Sequence, residues 1–188
     1  MKSTHTLQHQ FLIAMPNLDD SWFEKTVIYV IEDNEQGSTG LVINKPHSLS
    51  VGQILEHFHI PSELSAADLN EAILTGGPVD IERGFILHQP VGDWQNTVDL
   101  DHNLGLTVSE DFLQALAMGS APKDHLIFLG TATWGKGQLA SEIQRNNWLT
   151  APYNASLIFE TELELRWKVA LGMLGVSPEF LSGEAGHA

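Results

Sequence analysis

Short apolar runs separated by turn residues dominate the first half of the chain. Phe11-Leu12-Ile13-Ala14-Met15 is stopped by Pro16 and reads as a buried strand. Lys25–Ile31 and Gly40–Ile43 are β-branched and aromatic, and Asp33-Asn34-Glu35-Gln36-Gly37 between them supplies turn chemistry, so the pair reads as a hairpin. The period then changes. Ile54, Leu55 and Phe58 sit at helical spacing behind Ser50, a capping residue, and Pro61 ends that helix. Residues 61–72 are polar and read as a loop holding one short helical turn. Ile73-Leu74 and Phe85-Ile86-Leu87 flank the turn at Thr75-Gly76-Gly77-Pro78, and weaker strands are expected at Thr97–Val98 and Leu104–Val108.

Helices and strands alternate afterwards. Ser109 opens a helix through Phe112, Leu113, Leu116 and Met118, with Gly119 just past its end. His125–Gly130 reads as a central strand, followed by a Gly-rich turn and a helix from about Gln138 to Asn146. Ala155–Phe159 is expected as a strand, and Thr161–Leu174 as a long helix closed by Gly175. Paired strands followed by alternation favour a mixed α+β sheet with surrounding helices over a strictly wound parallel one. No repeat, low-complexity tract or long linker interrupts residues 1–188, which points to a single domain.

Composition narrows the chemistry. The chain has 188 residues and no Cys, so thiolate metal sites, disulfides and a Cys nucleophile are excluded. Nine Lys and Arg stand against 24 Asp and Glu, giving −15 at pH 7, and the cations are scattered singly. Duplex DNA draws most of its affinity from phosphate neutralisation, so direct nucleic-acid binding is not expected. Anionic membrane surfaces are disfavoured for the same reason. The N-terminus lacks a signal-peptide pattern and no apolar run approaches the ~20 residues of a membrane span, so the expected location is cytoplasmic.

Several segments are more particular than packing requires. They are Phe11–Pro16 (FLIAMP), Gly40–Pro46 (GLVINKP), Gly76–Val79 (GGPV) with Arg83–His88 (RGFILH), Trp134–Leu139 (WGKGQL) and Ala185–Ala188 (AGHA). In that order and spacing the chain resembles the YqgE/AlgH family of small bacterial proteins over nearly its full length. The resemblance implies a bifurcated β-sheet with a small closed barrel and helices around it. It also implies a family without an established biochemical activity, some of whose members are called transcriptional regulators from genetic effects. The chain departs from the family pattern at Asp33, where His is expected, and at Gly130-Thr131-Ala132-Thr133-Trp134, where the family runs Gly-Tyr-Ala-Gly-Trp. It departs again at Ala140, where Glu commonly stands, so a catalytic acid at that position is absent.

Four groups of residues carry candidate chemistry. Gly130-x-x-x-x-Gly135-Lys136 mimics a P-loop, but Gly137 stands where Ser or Thr must hold Mg²⁺, so a tight turn feeding a helix is the better reading. On that helix Gln138, Glu142 and Arg145 or Asn146 share one side, with Glu142–Arg145 as an exposed ion pair or the whole as a polar face toward a partner or pocket. His57-x-His59 cannot chelate one ion from a helix, and no other His spacing suggests a metal. Asp19-Asp20 reads as a solvated turn.

Asn44 and Lys45 end one strand, while Arg83 and His88 bracket another. Were they to converge, Asn44, Arg83, His88 and Glu142 could form an acid/base and anion-binding set of a hydrolytic kind. Otherwise Asn44 caps a turn, Arg83 pairs locally and His88 bonds within the sheet. Trp94, in a Gly/Asp/Asn-rich stretch, is a candidate exposed anchor for a protein contact. The leading expectation is a non-enzymatic regulatory or interaction protein without a cofactor or metal. It would act through a protein partner or small ligand, and a homo-oligomer is compatible with it. The candidate surface comprises Asn44, Lys45, Gly76, Gly77, Arg83, His88, Trp134, Gln138 and Glu142.

Overall fold

The computed structural model describes residues 6–18, 20 and 22–177; Asp19 and the motif Ala185–Ala188 lie outside the described residues. In chain order the strands and helices are β1 (Gln10–Ala14), β2 (Val27–Asn34), β3 (Gly37–Val42), β4 (Pro46–Ser50), α1 (Val51–His57), α2 (Ala66–Leu69), β5 (Ala72–Thr75), β6 (Val79–Gln89), β7 (Thr97–Asp99) and β8 (Gly105–Thr107). They continue with α3 (Glu110–Ala117), β9 (Asp124–Gly135), α4 (Gln138–Gln144), β10 (Trp148–Pro152), α5 (Ala155–Phe159) and α6 (Arg166–Met173). The mixed α+β class is as expected. The chain divides into two compact units, residues 1–45 with 131–188, and residues 46–130.

In the first unit β10, β1, β2, β3 and the C-terminal part of β9 form an antiparallel ladder. The barrel implied by the resemblance is here a curled half-barrel. Its strands are covered on both faces, which is why Phe11–Ala14 and Val27–Val30 read as unbroken apolar runs and are fully buried. Leu12, Ala14, Ile28 and Val30 pack with Trp134, Trp148 and Leu139 of α4. Phe11 and Tyr29 face the other way, against Tyr153. The Trp167 indole of α6 donates to the Ala14 carbonyl at 2.8 Å, and buried Arg166 donates to Ile43 and Thr161 carbonyls, so α6 is tied to strand ends at β1 and after β3.

The second unit holds β4 paired with β5, β5 parallel to the N-terminal part of β9, and an antiparallel run of β6, β8 and β7. Its core joins Ile54 and Leu55 of α1 to Ile73, Ile86, Ile127 and the α3 residues Phe112, Leu113 and Leu116. Ser50 and Gln53 close a reciprocal capping box on α1, and Gly119 follows α3 with φ of 76°.

Four expectations need correction. Ala155–Phe159 is a helix, because Asn154 caps it by accepting from the Leu157 N–H at 3.2 Å. The stretch after His125–Gly130 is not a turn: β9 continues to Gly135, paired with β3. The expected helix at Thr161–Leu174 is a 3₁₀ turn at Leu163–Leu165 leading into the shorter α6. Trp94 is half-buried against Phe112, with ring centroids 4.9 Å apart, instead of standing exposed. Strands β4 and β10 were not anticipated. Among the described residues no helix is long and apolar enough to cross a membrane.

Candidate functional site

Among the described residues, the second unit carries a concave apolar feature. A groove of about 820 Å³ runs between α1, the β6 and β8 strands and the start of α3. Ile54, Leu113, Ile86, Ile127 and Leu129 form its floor, and all but Leu129 are buried. The helical period accounts for the α1 wall. Ile54 lies at the groove floor, Phe58 follows it one turn on just past the helix end, and Gln53 and His57 share the flanking face toward the opening.

Phe58, Ile81 and Val108 also line the groove, yet they keep 40%, 63% and 47% of their surface in water. Single exposed apolar residues are ordinary, but here three surround one concave apolar floor. The rim is polar: Glu82, Glu110, His47 and His57. His47 accepts from the Leu49 N–H through Nδ1 at 3.0 Å, so its Nε2 carries the proton when the ring is neutral. The surrounding unit is strongly acidic. Residues 46–130 hold twelve Asp and Glu against only Arg83 and Lys123, a net of −10 out of the −15 carried by the chain.

None of the nine residues singled out from the sequence lines this groove. Asn44 and Lys45 lie in the first unit, beside a polar recess of about 350 Å³ shared with Trp22, Glu24, Lys25 and Thr26. The Asn44 amide is already engaged, accepting from the Val27 N–H at 2.9 Å and donating to the Lys25 carbonyl at 2.8 Å. Lys45 donates to the Trp22 carbonyl at 3.0 Å and lies 3.6 Å from the Trp22 ring centre. Burial holds its ammonium below the ordinary lysine value, with Asp20 opposing.

Trp134, Gln138 and Glu142 are brought together where β9 meets α4. Gln138 accepts from the Gly135 N–H at 3.0 Å and closes the turn. Trp134 meets Trp148 edge to face at 6.2 Å. Glu142 is half-buried, and desolvation pushes its carboxyl above the ordinary range. The Trp134 indole and Arg145 oppose that shift, while Asp20 adds to it. One Glu142 oxygen, Oε2, is buried with no hydrogen-bond partner.

The remaining four lie in the second unit. Gly76 and Gly77 are buried, and the Gly77 carbonyl packs against Gly130. Arg83 is exposed on β6, 5.2 Å from the Phe85 ring centre. His88 is fully buried, with Nε2 at 2.7 Å from the Thr107 hydroxyl and Nδ1 at 2.9 Å from the Pro90 carbonyl. Desolvation lowers its pKa, the Pro90 carbonyl opposes, and His125 lowers it further. Both ring nitrogens are thus engaged in the fold.

Sequence reasoning missed the groove because Phe58 was read as one residue of a core-facing helix stripe. A usable signal was Ile81, a lone apolar residue within Asp80-Ile81-Glu82-Arg83.

The fold is that of a mixed α+β protein whose second unit carries most of the net negative charge. The AlgH-like family model matches residues 11–179, and the chain belongs to that family. A UPF0301 protein of Hydrogenovibrio crunogenus is 54% identical over 187 residues, covering all of both chains. A UPF0301 protein of Photobacterium profundum is 42% identical, covering 97% of this chain and 99% of the relative. The solution structure of AlgH from Pseudomonas aeruginosa matches with a TM-score of 0.78 and 41% identity, over 100% of this chain and 99% of that one. A protein from Corynebacterium diphtheriae shares the fold at a TM-score of 0.74 and 18% identity, over 97% and 94% of the two chains.

Proposed function

We propose that this protein is a non-enzymatic interaction protein that uses the groove of its second unit to recognise a basic protein partner. Any effect on transcription then passes through that partner and needs no contact with DNA. The observation that carries the reading is the ring of exposed Phe58, Ile81 and Val108 around an apolar floor. Aromatic and aliphatic anchors in a concave site supply affinity, while the −10 charge of the unit selects a partner of opposite sign. A second copy of the chain would bring the same acidic surface and be repelled.

Phe58→Asp and Ile81→Asp test this, because both side chains are substantially exposed and their replacement leaves the core intact. Each variant is expected to melt within a few degrees of the parent, since surface changes usually cost less than ~0.5 kcal/mol. Each should also lose the protein captured from a lysate by the parent chain. Capture of the same protein by both variants, or tight binding of duplex DNA at physiological salt, overturns the reading.

A further inference from the structure

The groove opens along a strand edge, and this says how a partner would sit in it; the inference deepens the proposal above and rests on it. β8 pairs with β6 from Ile86 to His88, and β9 is the neighbour on the other side. Among the described residues, Val79–Phe85 therefore has no ladder partner on the side of β8. Residues 79–84 are all exposed.

The groove covers the face shared by β6 and β9, where Ile127 and Leu129 form its floor, and its lining also reaches round the unpaired edge of β6. Successive strand residues point to opposite faces, so a cavity on one face takes every second residue. Here Ile81 and Glu82, then Gly84, Phe85 and Ile86, all line the groove, together with Thr107, Val108 and Ser109 where β8 runs out. Such an edge presents N–H and C=O groups as a template for another chain. Asp80, Glu82 and Arg83 are the charges natural edges use against indiscriminate pairing. Two of the three are acidic, so they leave the edge open to a strand bearing cations.

We infer that the occupant is an extended segment of a basic partner protein, added as a strand to β6 along Val79–Phe85. Its backbone completes the edge hydrogen bonds. Apolar side chains on the groove face enter toward Ile54, Phe58 and Leu113, and a Lys or Arg on that same face meets Glu82 and Glu110 at the groove rim. Recognition of this kind takes affinity from the main chain and specificity from alternate pockets. A helix laid in the same groove would satisfy its own backbone and leave the β6 edge unpaired.

The test uses phage-displayed random peptides selected on the full chain. Retained peptides are those that lose binding to Phe58→Asp, and each is resynthesised with its backbone nitrogens methylated at odd or at even positions. Selected peptides should place apolar residues at every second position, with Lys or Arg on that same face toward its ends. One methylation register should weaken binding about tenfold or more, with the other nearly neutral, because only every second N–H faces the β6 edge. Backbone amides within Val79–Phe85 should exchange more slowly with solvent in the complex.

Peptides that need Phe58 but show apolar spacing of three and four, with equal response to both registers, overturn strand addition and leave the groove reading standing. Failure to select any peptide sensitive to Phe58→Asp removes both.

Discussion

Two partly or fully buried titratable groups bias stability in opposite directions. Glu142 holds its proton more tightly in the folded chain than in the unfolded one, because desolvation raises its pKa. As pH rises from the ordinary carboxylate range through that raised value, the folded state must surrender the proton, and stability falls. Glu142→Gln should therefore flatten the decline seen in melting temperature across that window, while Trp134 keeps an amide oxygen to donate to. His88 works the other way. Below the ordinary imidazole value the unfolded chain takes a proton that buried His88 declines. Its contribution is complete above that value and is lost as pH falls through the lowered one.

Removing the His88 ring leaves a hole beside Phe112, whose ring lies 4.8 Å away, and strips Thr107 of one partner. His88→Ala is expected to cost about 2–4 kcal/mol by urea denaturation. A loss below ~1 kcal/mol would show that the site refills with water or collapses, contrary to a tightly packed imidazole.

The elements that could be read from sequence were those whose local chemistry agreed with their packing. The β2–β3 hairpin, α1 with its Ser50 cap, and α3 with Gly119 behind it all had periodicity and end signals pointing the same way. Ala155–Phe159 did not, since a short, mostly apolar segment fits a strand as well as a helix, and the Asn154 side chain decides it. In the sequence Gly130 reads as punctuation, which hides the C-terminal part of β9. The Gly130 φ is 82°, yet the strand resumes beyond it.

Those contrasts lead to two expectations. A Cβ at Gly130 would stand 2.4 Å from the Gly77 carbonyl oxygen, a backbone atom with little freedom to move. Gly130→Ala should therefore cost more than ~2 kcal/mol, whereas Gly119→Ala, with φ of 76° but open space around it, should cost about 1 kcal/mol. Equal costs would mean that backbone conformation alone, without the carbonyl, sets the requirement. Ser50→Ala removes one half of the α1 capping box and should cost about 1 kcal/mol, loosening the helix that carries Phe58. The groove itself was hidden from sequence reasoning for a related reason. Ile81, Phe58 and Val108 come from three elements whose meeting depends on where β8 stops.

Net charge acts on the folded chain and on its association with opposite signs, and salt separates the two. At −15 overall and −10 within residues 46–130, the compact state carries self-repulsion that the expanded chain relieves. Screening shortens to about 10 Å at 0.1 M salt and about 3 Å at 1 M, so added NaCl should raise the melting temperature. The same screening would weaken the attraction of the proposed basic partner to the acidic unit. Association should therefore slow as salt rises, with dissociation changing much less, because the apolar contacts at Phe58, Ile81 and Val108 are not screened. Stopped-flow association of a groove-dependent peptide, recorded beside thermal melts in the same buffers, reads both slopes. A melting temperature that rises while the association rate falls fits an acidic recognition unit. An association rate indifferent to salt would assign the partner's selection to shape and apolar contact alone, and would strip the acidic surface of any part in choosing it.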